Sequence, residues 1–146
     1  MAIGRNKYMN KLMMTCVALG CALFVAGCGN LHDSHEKMVK DLYVLIQSGN
    51  IDKAEAFSEK NFVDGLGEKL RYNRETKKVF GAIIGSKEPV KTEILGTKES
   101  DAGTLSLIAA KCYGTTLYFA VGTEKGRDTK IIWISTNKED AARKTF

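Results

Sequence analysis

Histidine, proline, tryptophan and long apolar runs are all scarce in this chain. Of its 146 residues one is proline, one is tryptophan, and two, His32 and His35, are histidine. The absence of any other histidine counts against general acid–base and triad chemistry, because histidine is the residue whose unperturbed pKa suits pH 7. No glycine-rich loop follows a strand-like run. Gly65, Gly67, Gly81 and Gly85 punctuate helical stretches instead, which leaves nucleotide binding without support. The longest apolar segment runs from Leu12 to Gly27, 16 residues, short of the ~20 that a helix needs to cross the hydrocarbon core. Charged residues make up 27% of the chain, which excludes a disordered chain and a polytopic membrane protein. The length suffices for one domain.

What the N-terminus does have is an address. Arg5, Lys7 and Lys11 form a positive region ahead of the apolar run, which ends in small residues, the pattern of an export signal. The run closes with Val25-Ala26-Gly27-Cys28. This tetrapeptide resembles the lipobox of bacterial lipoproteins, with Val25 in place of the commoner Leu. That resemblance implies cleavage before Cys28, lipidation of its sulfur and attachment to the cell envelope without a span. An ordinary signal peptidase would also accept Val25 and Gly27, so the mature start is nearly the same either way. Two or more acyl chains suffice for stable anchoring. Gly29 is not the Asp that resembles an inner-membrane retention signal, so the expected location in a Gram-negative host is the periplasmic side of the outer membrane.

Cleavage changes the remaining arithmetic. Cys16 and Cys21 leave with the signal and Cys28 is consumed by the lipid, so Cys112 is left as the single thiol and no intrachain disulfide is possible. Its apolar surroundings in sequence predict a small buried hydrophobe rather than a nucleophile. Removing Arg5, Lys7 and Lys11 leaves 19 basic residues against 17 acidic, so the whole-chain charge of +5 is no nucleic-acid footprint.

The mature chain reads as helices first and a sheet after. Asp33 and Glu36 have the spacing of a capping box, and Met38, Val39, Leu42, Leu45 and Ile46 follow helical periodicity up to Gly49. Asn50 can cap a second helix that turns Ile51, Ala54 and Phe57 inward. A third is expected from about Gly67 to Ile84, with Gly85 and then Pro89 ending it. Beyond Pro89 the period changes to runs rich in β-branched and aromatic residues, read as four strands near Val90–Lys98, Thr104–Tyr113, Thr115–Thr123 and Lys130–Thr136. Their short connections predict an antiparallel meander. The expected organisation is a signal over 1–27, a lipidated Cys and tether over 28–33, an α+β domain over 34–136 and a C-terminal tail over 137–146.

Both faces of these strands are apolar. Leu105, Leu107 and Ala109 alternate with Ile108, Ala110 and Cys112; Leu117, Phe119 and Val121 alternate with Tyr118 and Ala120; Ile131 and Trp133 alternate with Ile132 and Ile134. A sheet packed on helices by one face alone shows polar alternation on the other. Something must cover the second face, and the expected candidates are sheet curvature around a pocket, a partner protein, or self-association.

The helix Glu36–Tyr43, the phrase Ser48-Gly49-Asn50-Ile51-Asp52-Lys53-Ala54 and the late aromatic in Ile131-Ile132-Trp133-Ile134 resemble the nuclear transport factor two-like (cystatin-like) fold of small bacterial lipoproteins. The resemblance covers about Ser34 to Thr136. It implies helices packed on a curved four-stranded meander, forming a cone that holds a ligand, and a homodimer through the sheet. Enzymes of this fold place an Asp or His base and a Tyr donor in the cone, a set this sequence does not display. By residue type, Asp64, Tyr72, Tyr113, Tyr118 and Trp133 are the candidate ligand or partner contacts.

The function expected is a non-enzymatic binding module, lipid-anchored, that meets an envelope protein or small ligand through its cone or outer sheet face. No cofactor, metal or nucleic acid is expected. The alternatives are an immunity or exclusion lipoprotein and a small enzyme using the cone. His32 and His35 with Asp33 and Glu36 suggest a metal site, but a third ligand on a rigid element is missing, and a solvated linker is the expected reading. The basic run Lys69, Arg71, Arg74, Lys77 and Lys78 is read as a solvated helix face that could also meet anionic headgroups or an acidic partner.

Overall fold

In the computed structural model the described residues are 31–146, and the expected signal and Cys28 lie outside them. The chain divides into a unit ending at Asp33 and a second from Ser34 to Phe146. Residues 31–48 are helical (α1), followed by α2 (Ile51–Asn61), α3 (Leu66–Tyr72), α4 (Arg74–Ile83), β1 (Lys91–Ser100), β2 (Gly103–Cys112), β3 (Thr115–Glu124), β4 (Thr129–Ser135) and α5 (Lys138–Thr145). The fold is α+β, with four helices ahead of one antiparallel sheet in the order β1-β2-β3-β4.

Asp33 is not the cap of α1, because the helix is already under way at residue 31. Its inward stripe is His35, Val39, Leu42 and Tyr43, all buried, at the three- and four-residue spacing of one helical face. Asn50 does cap α2, accepting a hydrogen bond from the Lys53 backbone N–H at 3.0 Å. Ile51, expected inward, is 71% exposed. The single helix expected from Gly67 to Ile84 is two, because Asn73 leaves helical backbone and caps α4 by accepting from Thr76 N–H at 3.1 Å. An Asn there competes for the backbone better than it continues a helix.

The main core lies between α1 and one face of the sheet. Ile94, Ile108, Phe119 and Ile134 form one cross-strand row, and Tyr43 packs against Phe119 at 6.0 Å between ring centroids. The Tyr43 hydroxyl donates to the Ala110 carbonyl at 3.3 Å. Buried side chains from α1 and the sheet pack together in this space.

The second face carries the row Gly96, Leu107, Ala120 and Trp133. It is covered by α5, formed by the segment expected as a tail. Asn137 caps α5 by accepting from Glu139 N–H at 2.8 Å, and Ala141 and Thr145 are buried. The Phe146 ring lies where a Cβ on Gly96 would come within 2.7 Å of it. At the free side of β4, Val63 N–H donates to the Ile131 carbonyl at 3.0 Å and Phe62 bridges Ile131 in parallel, so the edge is partly closed by the α2–α3 connection.

Candidate functional site

A cleft of about 740 Å³ opens at the end of the sheet where the β1–β2 and β3–β4 turns meet the α2–α3 connection. Phe62, Val63, Leu105 and Ile132 give it apolar walls, and Asp64, Arg127, Asp128 and Lys130 stand among its polar lining. Two glycines make room for the backbone here. Gly103 has φ +148°, and a Cβ on it would sit 2.1 Å from the Thr123 carbonyl oxygen; a Cβ on Gly122 would strike Leu105 and Ile132. Arg127 pairs with Glu124 at 2.7 Å, and the Lys130 ammonium reaches the Lys60 carbonyl. These contacts tie the β3–β4 turn to itself and β4 to the end of α2.

Thr123 is both part of the cleft lining and a link in a polar chain that runs into the core. Its hydroxyl lies 2.8 Å from His35 Nε2 and 2.6 Å from the Thr129 hydroxyl. His35 Nδ1 lies 2.8 Å from Ser106 Oγ. His35 and Ser106 are wholly buried. A hydroxyl donates or accepts as needed, so either imidazole tautomer is satisfied by these neighbours. The Ser106–His35 pair has the distance of a nucleophile and its base, yet Ser106 Oγ lies beneath the surface, where no substrate carbonyl reaches it. The chain's chemical role is to pin α1 to β2 and β3.

This placement corrects the reading of His35 as part of a solvated linker. A histidine between polar neighbours in sequence gives no sign of burial, but its spacing of four residues from Val39 and seven from Leu42 continues the core stripe. Among the described residues, no three His, Cys, Asp or Glu side chains come together as a metal site.

Of the candidate contacts, Asp64 alone lines the cleft. Tyr72 ends α3 and is 82% exposed. Tyr113 is not the last residue of a strand but sits in the β2–β3 turn at φ +49°, beside Gly114 at φ +72°, the paired left-handed geometry of a tight hairpin turn. Tyr118 and Trp133 are half-buried on the α5 face. Lys69 of α3 and Lys144 of α5 approach the Trp133 ring, at 5.4 and 5.1 Å from its centroid. The structure therefore gathers none of the tyrosines with Asp64.

Cys112 is free and buried at the far end of the core from the cleft. Gln47 Nε2 donates to its sulfur at 3.5 Å and to the Glu88 carbonyl at 2.7 Å. Burial and then the Glu88 charge push its thiol up, against the Gln47 hydrogen bond. Burial, with the Cys112 sulfur adding to it, pushes the Tyr43 phenol well above its ordinary range. Both groups hold their protons and act as packing.

No described helix is long and apolar enough to cross a membrane. No protein family, curated protein or solved structure matches the chain.

Proposed function

We propose that this chain is an envelope lipoprotein, anchored through Cys28, whose folded domain is a binding module that takes a small ligand in the cleft at the sheet end. The observation that carries the reading is the cleft itself. Its volume matches the range of small-molecule sites, and apolar walls with a few convergent polar groups are the usual composition of such sites. Thr123 joins the cleft lining to the buried His35 and Ser106 pair.

The order of helices followed by a four-stranded meander supports the likeness to the cystatin-like fold, while moving the binding site from the helix–sheet interior to the sheet end. The outer-face interaction and the homodimer through the sheet lose their motive, because α5 already covers Leu107 and Ala120. The reading assigns no reaction to the cleft, since the base and hydroxyl nearest a catalytic pair are engaged with one another and wholly buried.

Native mass spectrometry of the processed protein, after incubation with an envelope extract of its host, tests the reading. A retained mass of a few hundred daltons, lost in Ala102→Trp and in Leu105→Trp, is the expected result. Ala102 is exposed on the β1–β2 turn at the cleft wall, so its replacement fills the mouth without touching the core. A doubled mass with no small ligand, or a ligand retained by both variants, would overturn the cleft as the site.

A further inference from the structure

Trp133 is approached from two separate helices by cations that have no carboxylate partner among the described residues. The Lys69 and Lys144 ammonium groups lie 5.4 and 5.1 Å from its ring centroid, and so within about 10.5 Å of each other. Among the described residues neither lysine has an acidic side chain within ion-pair distance, and the same holds for Arg71, Arg74, Lys77 and Lys78 on the adjoining turns of α3 and α4. All six are exposed. The α3–α4 stretch from Leu66 to Ile83 carries these five cations, Lys69 included, against Glu68 and Glu75. Cation–π attraction, about 0.5–1 kcal/mol for an exposed pair, holds both ammoniums at the ring. Exposed and without a carboxylate partner among the described residues, they remain open to an anion.

We propose that Trp133, Lys69 and Lys144 form a docking surface for the headgroups of an anionic bilayer. A half-buried indole beside lysines is the combination that rests at the headgroup level of a membrane, with the ring in the interface and the ammoniums on phosphates. The surface rests on the anchoring half of the proposed function. From Cys28 to Ser34, the first residue of the folded unit, six residues span at most ~20 Å, which leaves an anchored domain in reach of the lipid surface. The domain then lies on its β4 side instead of standing off the membrane, and the orientation of the cleft is fixed by it.

The chain has one tryptophan, so its fluorescence reports on this site alone. The test compares the processed full-length protein with vesicles of phosphatidylcholine and with vesicles that also contain phosphatidylglycerol. The expected result is a blue shift of Trp133 emission and quenching by brominated acyl chains with the anionic vesicles only, reversed by salt and lost in a Lys69→Gln/Lys144→Gln variant whose thermal unfolding is unchanged. Identical emission with both vesicles would overturn the proposal. The same spectral change with inorganic phosphate alone would assign the site to a free anion and overturn the headgroup as its source. Release of the protein from both vesicle types by high salt would refute the lipid anchor. The salt-dependent spectral difference between vesicle types would still decide the headgroup surface.

Discussion

His35 and Ser106 stand 71 residues apart in sequence and 2.8 Å apart in the fold, both wholly buried. The bond joins the first buried turn of α1 to the middle strand pair, and through Thr123 it is linked to the cleft lining. Replacing His35 by Ala leaves Ser106 without this partner and opens a void beside it. The expected cost is ~2–4 kcal/mol, read as a lower midpoint in urea denaturation. Thr123→Val should cost less, about 1 kcal/mol, because valine keeps the volume of threonine and opens no void, so only hydrogen bonds are lost. An equal effect of the two would show that the buried chain is not what holds α1.

Gly96 and Gly103 both lie where a Cβ would meet a neighbour, but the neighbours differ. At Gly96 the obstacle is the ring of Phe146, a chain-terminal side chain that is 59% exposed and can swing aside. At Gly103 it is the Thr123 backbone oxygen, and φ is +148° as well. Gly103→Ala should therefore destabilise by more than ~2 kcal/mol, and Gly96→Ala by less than ~1 kcal/mol. Thermal unfolding of the two variants measures the contrast, which a reversed order would refute.

How far the sequence could be read follows from the kind of signal each element carries. The stripe Val39 and Leu42, the Asn50 cap and the four alternating runs are local patterns, and α1, α2 and the strands form where those patterns lie, to within a residue or two at most strand ends. The doubly apolar strands correctly demanded a cover for both faces. The cover itself was hard to see because α5 buries small side chains, Ala141 and Thr145, rather than a stripe of large apolar ones. Its only readable marks were the Asn137 cap, acids in the first turn and Arg143 and Lys144 in the last. Ile51 is apolar yet faces water because it starts a helix, and Tyr113 ends no strand because the hairpin turn takes it into left-handed backbone. The cleft was legible only through Asp64. It is made by two turns and a connection brought together by the meander, a relationship that no spacing along the chain displays.

The cover on the second face gives a direct prediction. Removing Lys138–Phe146 uncovers Leu107 and Ala120, the apolar middle of that row. The truncated protein is expected to self-associate with rising concentration, measured by light scattering on a sizing column, while the full-length protein stays monomeric at the same concentrations. Ala141→Asp tests the same contact at full length, since it buries a charge at a fully buried position and should displace α5. If both variants remain monomeric with unchanged stability, α5 contributes nothing to covering the sheet.

The pH dependence on the alkaline side follows from the two buried acids at the other end of the core. The Cys112 thiol and the Tyr43 phenol are each held above their ordinary values of 9.0 and 10.0. In both cases burial disfavours the charged form, so the folded state keeps a proton that the unfolded chain gives up. Above the unfolded value the unfolded state binds fewer protons than the native one, and unfolding becomes easier as pH rises. The stability these groups contribute is thus fully present at pH 7 and declines from about pH 9, first through Cys112 and then through Tyr43. Cys112→Ala should remove the earlier part of that decline and leave the part that begins near pH 10, seen in thermal melts across this range. A decline that begins at the same pH in Cys112→Ala and in the parent protein would mean that other groups set the alkaline limit.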